Sequence, residues 1–490
     1  MSTPGAGVGT GEGTETGARA LRRVLLVAVT SSCLVIIDST AVSLALPAIQ
    51  REFGGGLLLQ QWVVDGYLLT LGSLLLAAGA LADRYGTERV LAAGALAFTV
   101  MSVACGLAPN GWFLVAARVL QGASGAVITP SALALITAAA GGSMRLRLIA
   151  RWTAWTAAAS VAAPFIGGAL VTLGSWRFVF LINLIPAAIL ARPLLRLGRE
   201  ADRPSRPHGP FDLVSAGLSV AALGGLVLGL IWQAGLGWAH PVVWGSLVVG
   251  VSAGSAYMVR QRHSDEPQLP LGLFRERAFA AGNAATLWAY GALGLGAFLV
   301  GLYLQQRMGL TALAAGIGML PATLPMLFLS ATVARLSALS GPRLPMAVGP
   351  AIAAAGFVWL ALAAPPLTYW RDVFGPMLLL GLGLAVMVAP LTSTVLGAVP
   401  RGSEGVGSAV NNAVARIASL VAIAASGAIV GGVLDDAGFR RGASATAILL
   451  VAAAVTSAIW IPTVRPASPR TGRRQRMARR GTGQDPGPAP

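Results

Sequence analysis

Lysine is absent from this chain of 490 residues, histidine occurs three times (His208, His240, His263) and cysteine twice (Cys33, Cys105). Without lysine no phosphate-cradling Gly-x-x-x-x-Gly-Lys loop exists, which excludes ATP hydrolysis of that type. The scattered histidines and the two cysteines show no metal-ligand spacing, so no metal site is expected, and both cysteines, lying in apolar runs, are expected to be free thiols. Charge is also scarce. Only 11% of residues are charged and 18 are acidic, whereas 55% are hydrophobic and the mean hydropathy is +0.73. A soluble chain of this length needs far more polar surface, so the composition is that of a polytopic membrane protein.

The formal net charge of +17 comes entirely from arginine. Its distribution argues against a nucleic-acid partner. Seven arginines follow Pro462 (Arg465, Arg470, Arg473, Arg474, Arg476, Arg479, Arg480), and most of the others fall between apolar runs, as expected of loops facing anionic lipid. Arg19, Arg22 and Arg23 precede an apolar run in the manner of a signal peptide, but that run is too long for one and contains Asp38, so it is read as a retained first span.

Runs long enough to cross a bilayer predict an all-α membrane protein of fourteen spans. Six lie near 24–46, 57–81, 90–108, 112–134, 148–173 and 177–195. Two follow near 213–233 and 241–259, and six more near 280–305, 313–336, 345–363, 373–397, 405–431 and 444–462. The expected organisation is a disordered tail over 1–20, a six-helix bundle over 21–195, a connector with two extra spans over 196–279, a second six-helix bundle over 280–462, and a basic disordered tail over 463–490. Gly122 to Pro130 in the fourth span is faintly echoed by Leu382 to Pro390 in the twelfth, as two pseudo-symmetric halves would require. Arginines concentrate in alternate loops, which predicts both termini in the cytoplasm and a bacterial plasma membrane as the location.

Of the 18 acidic residues only Asp38 and Asp65 are embedded in spans, and the embedded cations are Arg118 and Arg416. A carboxylate at the centre of a membrane helix costs roughly 2.5 kcal/mol or more, so it is a functional hypothesis by default. Counting helical rise from the span ends places Asp38, Asp65 and Arg118 at one depth in the first bundle. Such a set is expected to share a titrating proton. A static ion pair of Arg118 with either acid is the alternative.

Asp38-Ser-Thr-Ala-Val-Ser-Leu-Ala-Leu-Pro47, Gly79-Ala-Leu-Ala-Asp-Arg-Tyr-Gly86, Arg118-Val-Leu-Gln-Gly-Ala-Ser-Gly125, Ala163-Pro-Phe-Ile-Gly-Gly168 and Trp176-Arg-Phe-Val-Phe-Leu-Ile-Asn183 occur in this order. Together they resemble the motifs of the major facilitator superfamily, in particular its fourteen-span drug:proton antiporter branch. The resemblance implies two six-helix bundles plus two inserted central helices. It further implies proton-coupled efflux of drugs, antibiotics or secondary metabolites by alternating access, without a cofactor and with the proton gradient as the energy source. It implies proton coupling through Asp38, Asp65 and Arg118, a gating loop at Gly79, Asp83, Arg84, Gly86 and Arg89, and an antiporter bend at Pro164, Gly167 and Gly168.

Thr87 and Glu88 stand where the family favours basic residues, and Ala159 and Ala163 replace glycines of the fifth-span motif. Trp152, Trp155, Asn283, Trp288, Tyr290, Asn411 and Asn412 are candidates for lining a substrate cavity, although interfacial belts account for most membrane Trp and Tyr. The expected partners are a small-molecule substrate, protons and the bilayer, with the chain acting as a monomer. A same-fold carrier of a sugar, peptide or other metabolite is the nearest alternative. An integral membrane enzyme or sensor is the other, but no connector is long enough to hold a catalytic domain.

Overall fold

In the computed structural model, residues 12–200, 212–400 and 403–462 are described; the tail expected over 463–490, residues 1–11 and part of the connector lie outside them. The first half comprises α1 (Glu12–Phe53), α2 (Gly56–Tyr85), α3 (Thr87–Gly106), α4 (Gly111–Ala139), α5 (Gly142–Leu173), α6 (Phe178–Leu181) and α7 (Leu184–Glu200). A hairpin of α8 (Leu213–Leu236) and α9 (Pro241–His263) follows. The second half comprises α10 (Arg277–Gln306), α11 (Ala312–Gly318), α12 (Leu324–Ser340), α13 (Arg343–Leu362), α14 (Phe374–Gly397), α15 (Glu404–Ala424), α16 (Ser426–Val430) and α17 (Asp436–Trp460).

Among the described residues thirteen helices are long and apolar enough to cross a membrane. The place of the sixth expected span is taken by a shorter apolar stretch, Phe178–Pro193, interrupted by a turn at Ile182 and Asn183. The second span of the second half is likewise broken, into α11, a tight turn at Leu320–Ala322 and α12, as its prolines require. Helix α1 begins at Glu12, inside the first 20 residues, which had been expected to form a tail.

The chain reverses where local chemistry ends its helices. Gly54, Gly55 and Gly56 all take positive φ between α1 and α2, a conformation that only glycine adopts at little cost. The side chains of Asn110, Asp212, Thr311 and Asp435 cap α4, α8, α11 and α17 by accepting from backbone N–H groups at 2.6–3.2 Å. Between helices, glycine replaces bulk. A Cβ at Gly122 would strike the Tyr67 carbonyl across the α2/α4 crossing, one at Gly349 would lie 2.6 Å from the Gly383 oxygen between α13 and α14, and one at Gly225 would lie 2.5 Å from Gly250 N in the hairpin. Lipid supplies no hydrophobic drive for helix association, so such close approach is what holds the bundle.

The two halves repeat one packing scheme. The first helix of each lies on the fifth (α1 on α5, α10 on α15), and the second on the fourth (α2 on α4, α12 on α14). The third lies on the fourth (α3 on α4, α13 on α14). Pro130 and Pro390 both fall inside the fourth helix of their half, which is the sequence echo in three dimensions. The hairpin leans on both halves through α8, which packs against α2 and α15; the Ser219 hydroxyl donates to Ser73 O at 2.9 Å.

Candidate functional site

Helix α1 carries Asp38 into the core of the first half, where it is fully buried. Two turns below the α4 start, Arg118 is fixed by three features of its own: Nε donates to Val63 O at 3.1 Å, Nη1 to Gln121 Oε1 at 2.8 Å, and the guanidinium lies 4.1 Å from the Tyr67 ring centre. That geometry aims Nη1 at Asp38 Oδ2, 2.6 Å away. The other carboxylate oxygen accepts from Gln121 Nε2 at 2.9 Å and from Asn183 Nδ2 at 3.0 Å. Ser102 closes the network, accepting from Gln121 and Asn183 and donating to Phe180 O at 2.9 Å. Three hydrogen bonds, one of them from the arginine, thus satisfy a carboxyl group buried where it would be untenable without partners.

The sequence motifs named Asp38 and Arg118 for this site but not Gln121, Asn183, Ser102 or Tyr67. Gln121 stands one turn after Arg118 on the same helix face, a spacing visible in Arg118-Val-Leu-Gln. Asn183 reaches the acid because α6 stops there: its amide projects from the turn between α6 and α7.

Asp65 departs from expectation. It shares the depth of the pair, since Val63 and Tyr67 on either side of it contact Arg118. Two residues correspond to about 200° of helical rotation, so Asp65 points to the opposite face. It is fully buried, and neither carboxylate oxygen has a hydrogen-bond partner or ion pair among the described residues. The face it occupies belongs to the junction of the halves: Gln61, one turn earlier, donates to Ile423 O and Ala424 O at 3.0 Å, and a Cβ at Gly72 would sit 3.5 Å from Arg416 Cβ. The expected three-membered cluster is therefore a tight Asp38–Arg118 pair with a separate acid behind it.

The halves meet at one end. Gln60 and Gln306 both donate to Gln50 Oε1, at 2.7 and 2.8 Å; Gln61 also donates to Ser426 Oγ; and Leu313 N donates to Thr172 Oγ1 at 3.0 Å. The antiporter motif is part of this seal. A Cβ at Gly167 would lie 2.6 Å from Ala41 Cβ, one at Gly168 2.7 Å from Ala312 O, and one at Gly316 2.6 Å from Pro164 O. All these contacts lie toward the arginine-poor loops.

At the arginine-rich end, Gly86 takes φ 91° and its N–H caps Ala82 O at 3.0 Å, which makes the turn between α2 and α3. Arg84 stacks on Tyr85, Asp83 and Arg89 are exposed and form no ion pair among the described residues, and Gly79 faces open space. Of the cavity candidates, Asn411 Nδ2 donates to Asn283 Oδ1 at 3.1 Å and to Thr286 Oγ1 at 2.8 Å, tying α15 to α10. Tyr290 lies beside them, its carbonyl accepting from Ser419 Oγ. Trp152 is bound to Ser32 on α1 at 3.0 Å, whereas Trp155 and Trp288 are exposed on α5 and α10, and Asn412 is half-buried without a partner among the described residues.

Residues 28–423 match the model of the Major Facilitator Superfamily. The chain belongs to that superfamily. Similar curated proteins include the methylenomycin A resistance protein of Bacillus subtilis, 32% identical over 83% of this chain and 87% of that protein, and the multidrug efflux pump LfrA of Mycolicibacterium smegmatis, 33% identical over 81% and 78%. The tetracenomycin C resistance and export protein of Streptomyces glaucescens is 31% identical over 92% and 84%. Among solved structures, a peptide transporter POT in complex with sulfate superposes with a TM-score of 0.67 at 16% identity over 93% of this chain and 95% of that one. A bacterial homolog of the human lysosomal transporter Spinster, inward-facing and unoccupied, gives 0.65 at 18% identity over 91% and 97%. These structural likenesses concern the fold; the superfamily is one of membrane transporters, not enzymes.

Proposed function

We propose that this superfamily member exports small amphipathic or hydrophobic compounds, drugs or antibiotics, across a bacterial plasma membrane in exchange for protons, as a monomer and without a cofactor. The curated relatives named for resistance and export supply the cargo class. The observation that carries the coupling is the buried Asp38 carboxyl group bonded to Arg118, Gln121 and Asn183.

By the arginine bias of the loops, the arginine-rich end faces the cytoplasm, with both termini on that side. The structure sealed at the other end is then the state that loads substrate from within. Protonation from outside removes the charge that anchors Arg118, loosens the Gln121 and Asn183 bonds, and so changes how α1, α4 and the α6/α7 turn fit together. Opening outward requires the Gln50–Gln306 and Gln61 bonds and the Gly168 contact to part, while the Gly79–Arg89 loop closes on the second half. Asp65, buried on the junction face without a partner among the described residues, serves as a second proton carrier exposed when that junction opens.

Everted membrane vesicles from an efflux-deficient host test this reading. Uptake of a fluorescent drug should follow an imposed proton gradient and collapse with a protonophore. Uptake that persists with ATP alone, or that survives the protonophore, would remove the mechanism.

A further inference from the structure

Arg416 is an embedded cation that the proton site does not use. It sits near the middle of α15 at the crossing with α2, half-buried, and forms no hydrogen bond or ion pair among the described residues. Asn412, one turn earlier on the same face, is equally half-buried and unpartnered. The neighbouring polar groups are occupied otherwise: Asn411 by Asn283 and Thr286, Ser419 by the Tyr290 carbonyl. Of the two embedded acids, Asp38 is taken by Arg118, and Asp65 makes no ion pair with Arg416. An arginine within a membrane span, with no anion of its own, is arranged for an anion that arrives.

Resting on the export reading above, we propose that Arg416 and Asn412 receive the ionised acid group of the substrate, so that the cargo is an amphipathic anion. The guanidinium offers a planar fork to a carboxylate, sulfonate or phenolate, and the Asn412 amide adds a donor one helical turn away. An aromatic body then lies along the inter-half surface. The arrangement also explains why the second half needs no embedded acid: a cationic drug would meet Arg416 as a like charge, a repulsion that selects against it.

The site is placed one aromatic ring from the proton machinery. The face of Tyr67 carries Arg118 at 4.1 Å, its buried hydroxyl has no hydrogen-bond partner among the described residues, and the same helix passes Arg416 at Gly72, where a Cβ would lie 3.5 Å from Arg416 Cβ. A substrate anion at Arg416 therefore acts on the helix that carries this ring. Loading and proton release are thereby brought into contact through α2.

Equilibrium binding to the purified full chain in detergent tests the proposal without requiring transport, so that its failure and the failure of the export reading are separable. The probes are fluorescein, an anionic xanthene, and rhodamine 6G, a cationic one, both followed by fluorescence anisotropy. Fluorescein should bind the wild type; Arg416→Gln should weaken it about tenfold or more, the loss of one charge-assisted contact, and Arg416→Lys should recover part of that loss. Asn412→Ala should weaken it by a few-fold. Rhodamine 6G binding should be unchanged or improved in Arg416→Gln. Since Arg416 forms no hydrogen bond or ion pair among the described residues, these variants should keep the wild-type thermal stability. Fluorescein affinity unchanged in Arg416→Gln, equal weakening of both dyes, or a wild type that binds only the cation would overturn the proposal.

Discussion

Replacing Gly168 by valine should move the protein out of the state described above. A Cβ at that position lies 2.7 Å from both Ala312 O and Leu313 Cα, whereas ordinary contact begins at 3.4 Å, so α5 and α11 must separate locally by about 0.7 Å. Both obstructing atoms are backbone, and no rotamer change relieves them. Overpacking of this kind costs about 1–3 kcal/mol. The cost is incurred only while α5 and α11 touch, and each 1.4 kcal/mol is a factor of ten in population, so the ratio of sealed to open molecules at the arginine-poor end should fall by about 5- to 150-fold. Spin labels at Arg51→Cys and the exposed Val433→Cys, with Cys33 and Cys105 replaced by serine, report that opening by double electron–electron resonance. Gly168→Val should add a long-distance population, and Gly79→Ala, whose Cβ meets nothing within 4 Å, should not. A folded Gly168→Val protein with an unchanged distance distribution would show that the antiporter motif does not seal the halves.

Asn183→Ala should cost about 1.5–3 kcal/mol of stability in detergent, because a charged acceptor loses one donor and Ser102 loses another; thermal unfolding measures it. Gly122→Ala should be more damaging, since its Cβ lands on the Tyr67 carbonyl and forces α2 from α4; loss of monodisperse protein on extraction checks this. Asp212, just before α8, caps that helix and binds Arg260 at 2.9 Å, and the Arg260 bond together with Ser215 brings its carboxyl down to about 2 against burial. A depressed acid stabilises above its unfolded value near 4 and loses that contribution as pH falls through 2. Hydrogen exchange at the start of α8 should therefore be protected equally from neutral pH to about pH 4, weaken only between 4 and 2, and be unprotected throughout in Asp212→Ala.

The architecture was legible because a bilayer imposes its own length scale on the sequence: the apolar runs translate almost one for one into helices. One of the exceptions is instructive. The run near 177–195 is apolar enough to read as one span, but its chain breaks at Ile182 and Asn183, and no composition rule reveals a break that positions one amide beside Asp38. Asp38 and Arg118 were visible because an embedded charge is conspicuous. Gln121, Asn183 and Ser102 were not, because a neutral polar side chain in a membrane helix is common and only its orientation distinguishes a ligand of the acid from ordinary interhelical packing. The misplacement of Asp65 has the same origin. Helical rise gave its depth correctly, but proximity also depends on rotation, and the two-residue offset from Val63 and Tyr67 turns it toward α15. The seal at Gly167, Gly168 and Gly316 was legible only as a motif; that these glycines join α1, α5 and α11 follows from tertiary contact.

The central claim is that Asp38 carries the proton that drives export, and proteoliposomes containing Asp38→Asn test it most directly. With the proton gradient imposed and drug accumulation followed alongside lumenal pH, the wild type should concentrate the drug against its gradient and move protons the opposite way. Asp38→Asn should still equilibrate the drug downhill but neither accumulate it nor move protons. Uphill accumulation by Asp38→Asn at the wild-type level would contradict the account and leave the Asp38–Arg118 pair as a structural tie.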